Sequence, residues 1–188
     1  TKKILLEDHF EAFIKAPAAT FNHHSYIGGL LEHSICVADI CKSQIPVYPD
    51  VKEDILIAGA LLHDIGKMQE FEFTESISYT SDGNLLGHIY LGARLLEDAV
   101  QDLKEFPDYL KNHILHIILS HHGLIERGSP VEPKTLEALL IHKADTTDAD
   151  ANAMLVSKAE SAGGNWLVSR NLGRMIYLEP LPEYKKRK

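Results

Sequence analysis

Few features restrict a fold as tightly as two adjacent metal-capable side chains at the end of an apolar helical run. Here they are His63 and Asp64, which follow Ala58-Gly59-Ala60-Leu61-Leu62 and precede Ile65-Gly66-Lys67. Successive residues of an α-helix diverge by about 100°, so both side chains can enter one cavity only where the helix stops. Gly66 allows the turn there. His33, His88, the doublet His121-His122 and Asp145 lie at wide spacings around the pair. Imidazoles and carboxylates without cysteine form a borderline-to-hard ligand set. Nitrogen predominates, which favours Mn, Fe, Co or Ni, with Zn or Mg also admissible, over an all-oxygen cage. Ligands at the ends of several helices converge at one mouth of a bundle, a common place for two-ion sites. Taken singly, His9, His113, His116 and His142 read as packed or surface histidines.

A chain of 188 residues reads as one domain, with its core at about 20–162 and an extension over 163–188. No apolar run approaches the roughly 18 residues that span a bilayer, and no signal peptide opens the chain, so a cytoplasmic protein without a membrane partner is expected. Cys36 and Cys41 fit neither a redox motif nor a zinc knuckle and read as small reduced hydrophobes. The formal charge of −8 argues against a broad nucleic-acid-binding surface but leaves room for a local positive site. The basic run Lys185-Lys186-Arg187-Lys188 reads as a solvated tail.

Periodicity predicts a first helix over 3–16, with Ile4, Leu5, Phe10, Phe13 and Ile14 on its apolar stripe, stopped by Pro17. A second over 30–43 turns Leu31, Ile35, Ala38 and Ile40 inward. Asp50 caps a third over 51–63. Residues 76–80 alternate like a strand, 81–84 read as a turn, and Leu85-Leu86 return as the partner strand. Helices follow from about 87 to 103, from Pro107 in a first turn to Ser120, and from 134 to 161. The last 24 residues show no clear period. The picture is a helical bundle with one small hairpin.

The order His, His-Asp, His, His-His, Asp resembles the HD-domain phosphohydrolase superfamily, named for its His-Asp pair. The resemblance implies an all-α fold, an HD-domain helical bundle with a small β-hairpin insert. The simplest members need only the equivalents of His33, His63, Asp64 and Asp145. His88 and the doublet resemble the di-metal branch, which implies two divalent transition-metal ions: one on His33, His63, Asp64 and Asp145, the other on His88, His121 and His122, with Asp64 bridging. Longer strings are similar to the HD domain of the YhaM-type 3′-to-5′ exoribonucleases. They include His23-His24-Ser25-Tyr26-Ile27-Gly28-Gly29, Gly83-Asn84-Leu85-Leu86-Gly87-His88 and Ile141-His142-Lys143-Ala144-Asp145. That family typically carries an OB domain ahead of the HD domain, and only 32 residues precede His33 here. An excised domain and a stand-alone relative both stay open.

Within the resemblance, His23, His24 and Tyr26 reach substrate or instead fix their own loop by hydrogen bonds. Arg127 contacts substrate or is solvated. Glu32 and Asp148 support ligands or are surface charges. The expected function is a metal-dependent phosphohydrolase, a di-metal phosphodiesterase acting on nucleotides or on 3′ ends of single-stranded RNA or DNA. Asp64 and Lys67 are its expected catalytic residues, Lys67 also binding the phosphate as a fixed positive point. Two other readings stay open: an HD-fold di-iron oxygenase and a non-catalytic nucleotide-binding domain. The sequence leaves the oligomeric state undetermined.

Overall fold

A computed structural model describes residues 1–20, 24–73, 76–101, 103–159, 161, 163–170 and 172–179. The chain forms two compact units, Thr1–Asp148 and Ala149–Lys188. The first opens with a π-helical turn, Lys3–Asp8, and then α1 (Phe10–Lys15), α2 (Gly29–Gln44), α3 (Glu53–Leu62) and α4 (Lys67–Glu70). A hairpin of β1 (Phe71–Phe73) and β2 (Ile77–Tyr79) leads into α5 (Ser81–Gln101) and α6 (Asp108–Ser120). A 3-10 turn, Ile125–Arg127, precedes α7 (Leu136–Ala159). Among the described residues no helix is long and apolar enough to cross a membrane.

Helix α3 positions everything else because it is apolar on more than one face. Leu62, with Ile65 just beyond, packs among Leu30, Leu95, Ile114 and Ile118. Leu56 and Ala60 pack instead among Val37, Ile117, Ile141 and Ala144. The helix therefore runs between two core clusters and delivers its last turn, His63-Asp64, into buried space. On α2 the buried face is Leu30, His33, Ser34, Val37 and Cys41. Ile35, expected inside, is 46% exposed. The polar His33 occupies the inward stripe, so an apolar tally picks the wrong face.

Four further expectations need correction. The first helix is broken at His9 (φ −131°), whose N–H reaches Ile4 O, a π-type bond that shifts the register and leaves Phe10 45% exposed. Asp50 does not cap α3. The helix starts at Glu53, and the Glu137 carboxylate accepts the Lys52 N–H at 2.8 Å. The partner of β2 is β1, with Phe71 opposite Tyr79, and not Leu85-Leu86. Residues 81–86 are already helical because Thr80 Oγ1 accepts the Gly83 N–H at 2.8 Å, a side-chain N-cap that the turn reading overlooks. Pro107 stands at the N-cap of α6, outside its first turn.

In the second unit, β3 (Trp166–Ser169) pairs antiparallel with β4 (Arg174–Tyr177). Ser157 and Ser169 share a buried hydroxyl–hydroxyl hydrogen bond of 2.8 Å. The alternation of Trp166-Leu167-Val168 and Met175-Ile176-Tyr177 is a strand pattern absent from the sequence reading.

Candidate metal centre

Asp64 is the hub. Its Oδ2 lies 3.5 Å from His33 Nε2 and 3.4 Å from His63 Nε2. Its Oδ1 lies 3.3 Å from His121 Nε2 and 3.6 Å from His88 Nε2. One carboxylate thus divides its two oxygens between two histidine groups. Asp145 joins the first, 3.2 Å from His33 Nε2 and 4.0 Å from His63 Nε2. His122 joins the second, its Nε2 3.3 Å from that of His88. Lys67 Nζ donates to Asp64 Oδ2 at 2.5 Å.

Local structure explains why these side chains converge. His63 and His121 each sit one residue past a helix, at the ends of α3 and α6. There each ring can turn back on its own last turn, His63 Nδ1 toward Ala60 O (2.7 Å) and His121 Nδ1 toward Ile118 O (2.8 Å). His122 Nδ1 donates to Arg127 O at 3.0 Å. A carbonyl only accepts, so Nδ1 carries the proton in all three rings and Nε2 keeps a bare lone pair. His33 turns Nδ1 to Asp148 Oδ2 (2.7 Å), and His88 turns Nδ1 to Glu70 Oε1 (3.1 Å). Five imidazoles therefore point Nε2 inward, each anchored from behind.

Nitrogens so arranged call for a cation. His33 and His63 Nε2 are 3.2 Å apart, a separation at which two lone pairs repel unless a positive charge lies between them. Among the described residues, Asp64 Oδ1 and His121 Nε2 are buried with no hydrogen-bond partner. Leaving such atoms orphaned is expensive, and bound ions are one way that proteins satisfy them. Proton affinities point the same way. Burial lowers the pKa of His33, but Asp145 and Asp148 carry it up to about 9. Burial takes His121 down to about 4, the neutral form that a metal ligand requires. Burial alone would raise the Asp64 carboxyl, yet Lys67 and His63 hold it well below the ordinary carboxylate range. The donor set fits a metal, and among the described residues three groups of ligand atoms could hold one: His33, His63 and Asp64; His88, His121 and His122; and His24, His33 and Asp148.

The third group braces the first. His33 uses its outer nitrogen toward Asp148, whose Oδ2 also meets His24 Nε2 at 3.1 Å. His24 Nδ1 lies 3.0 Å from the Tyr26 hydroxyl, which donates to Glu32 at 2.6 Å. His24 is buried, while Tyr26 is 47% exposed. His23 lies outside the described residues. Arg127 is exposed and reaches the centre through its carbonyl. Asp148→Asn is expected to weaken metal binding by about 10- to 100-fold, because it removes the carboxylate that fixes the His33 ring. Chelator competition on the purified variant measures this, and an unchanged affinity removes Asp148 from the brace.

Two contributors are not legible in the chain. Glu70 is buried and accepts both the backbone N–H and Nδ1–H of His88. No sequence pattern marks it, because its role exists only once α4 packs on α5. His142, read as a packing residue, donates Nδ1–H to His121 O at 2.7 Å and holds the doublet's backbone.

Comparison with known proteins gives the same family. The HD domain model matches residues 30–150. The chain is 40% identical to the 3′-5′ exoribonuclease YhaM of Bacillus subtilis (strain 168) over 152 residues, 81% of this chain and 48% of that protein. It is 41% identical to the protein of that name from Shouchella clausii (strain KSM-K16), over 81% of this chain and 47% of the other. The chain thus spans about half the length of the curated relatives it matches. No solved structure matches it. The matched segment runs from α2 into α7 and includes Asp64, Asp145 and the five histidines grouped with them, so this chain belongs to the HD domain family.

Proposed function

We propose that this chain hydrolyses phosphodiesters in a metal-dependent reaction, removing nucleotides from 3′ ends of single-stranded RNA or DNA. The supporting observation is the division of Asp64, one oxygen toward His33 and His63 and the other toward His88 and His121. On this reading His33, His63, Asp64 and Asp145 hold one divalent ion, and Asp64, His88, His121 and His122 hold a second. Such ions make water acidic near neutral pH and draw charge from a phosphoryl oxygen. The names of the relatives supply the polymer and its polarity.

The chain's own residues supply positioning. Lys67 is held by Asp64 on one N–H and offers the others to a non-bridging phosphate oxygen. Asp64 keeps that ammonium protonated: burial lowers the Lys67 pKa, but the carboxylate more than reverses it. Lys67 therefore acts as a fixed positive charge and is no proton acceptor. The anchored rings spare the site reorganisation when charge develops on the phosphate.

A metal-supplemented screen tests the reading, using a 3′-labelled single-stranded RNA, its DNA counterpart, a cyclic dinucleotide and mononucleotides. The expected result is stepwise release of the labelled 3′ nucleotide, abolished by stringent chelation. Full turnover after chelation sinks the proposal, and oxygen uptake by the iron-loaded protein without ester cleavage replaces it with the oxygenase reading.

A further inference from the structure

On the side of the centre formed by His88 and His122, a cavity of about 390 Å³ opens to solvent. Leu86, Ile89, Tyr90, Leu119 and Pro130 line it, together with those two histidines. Its character is therefore divided. The histidine end presents two Nε2 atoms 3.3 Å apart, suited to an ion and the oxygen of a phosphate. The remainder is apolar. Glu70 also borders the cavity, but His88 already engages it through both its backbone and its ring. Arg127 brings an exposed cation to the edge.

Phosphate alone gains nothing from walls of this kind, whereas a flat aromatic ring does. Tyr90 is 53% exposed and Leu86 43% exposed, and both line the cavity beside the half-buried His88 and His122. They flank Gly87, whose φ of 72° and ψ of 158° break α5 beside His88. Only glycine adopts that backbone readily. The break thus sets Leu86 and Tyr90 at the cavity wall beside His88, with the Arg94 guanidinium 6.0 Å from the Tyr90 ring centre. Concave apolar surface beside convergent polar groups is the signature of a small-molecule site, and the volume lies within the roughly 300–1,000 Å³ that such sites occupy.

We infer that this cavity receives the nucleoside attached to the scissile phosphate, its base stacked on Tyr90 and packed against Leu86. The inference rests on the hydrolase reading above and deepens it, from the nucleotide that is released to the side chains that hold its base. Leu86, Ile89, Leu119 and Pro130 offer no hydrogen-bonding side chain, so recognition is by the face of the base and tolerates all four bases.

Calorimetric titration of the metal-loaded chain with AMP, UMP and ribose 5-phosphate tests this. Both nucleotides are expected to bind at least about tenfold more tightly than ribose 5-phosphate, as stacking of one base implies. Tyr90→Ala is expected to remove most of that preference, and Tyr90→Phe to keep it. Equal affinity of the wild-type chain for AMP and ribose 5-phosphate overturns the inference, as does a preference that survives Tyr90→Ala. Hydrolysis of bis(4-nitrophenyl) phosphate, followed in parallel, separates the two claims. Cleavage without a nucleotide preference rejects the nucleoside site alone. A nucleotide preference without cleavage under any metal supports the site and rejects the hydrolase reading.

Discussion

Asp64→Asn is expected to lower phosphodiester hydrolysis by at least about a thousandfold, a barrier increase of about 4 kcal/mol, and, on the proposed two-ion reading, to reduce the bound metal. The substitution preserves shape, so no cavity accompanies it. What changes is charge and donor character. One oxygen becomes an NH₂ group, which cannot ligate a cation and faces histidine nitrogens on either side. Lys67, only 14% exposed at its side chain, loses the carboxylate that it donates to. Breaking a buried ion pair from one side typically costs about 3–5 kcal/mol, so the variant should also unfold more readily. Elemental analysis and kinetics on one preparation check the prediction. Two ions retained with activity within tenfold of wild type rule out Asp64 as the shared ligand. Full metal with lost activity leaves it a catalytic role only.

The sequence singled out the residues that converge on Asp64 but not the scaffold that supports them. His63-Asp64 is readable because adjacency at a helix end has few structural uses, and the remaining donors differ in kind from their apolar neighbours. Supports such as Glu70 and His142 are ordinary helical residues in sequence. Their role comes from contacts across 18 and 21 residues, which no local period encodes. The misread hairpin has a similar origin. Leu85-Leu86 is apolar and resembles a strand, but Leu85 is 81% exposed and helical. A single hydroxyl, Thr80 Oγ1, decides that segment by capping the helix. The buried His33 on α2 misleads in the opposite sense, because a polar residue takes a core position. Local reading failed where function or capping overrode apolar periodicity.

Gly66→Ala offers the sharpest test of how closely the scaffold and the centre are joined. Gly66 has φ −62°, which any residue adopts, so the substitution introduces no backbone strain. In a permissive site it would be stabilising by about 0.4–1 kcal/mol, through the unfolded state. Here an added Cβ would stand 1.9 Å from His88 O and 2.5 Å from Gly92 N. Both are backbone atoms of α5 and cannot rotate aside, so α4 and α5 must separate. Overpacking of this kind costs about 1–3 kcal/mol when side chains yield, and more when backbone must move. We expect a net loss of roughly 3 kcal/mol, equivalent to a Tm lowered by about 6–12 °C in a chain of this size. The same displacement carries His88 away from Asp64, so metal binding on that side should weaken as well. Measuring Tm on chelated protein isolates the packing effect from the metal. An unchanged Tm there, with metal affinity intact, means that the α4–α5 contact is looser than these distances and that the His-Asp turn needs glycine for some other reason.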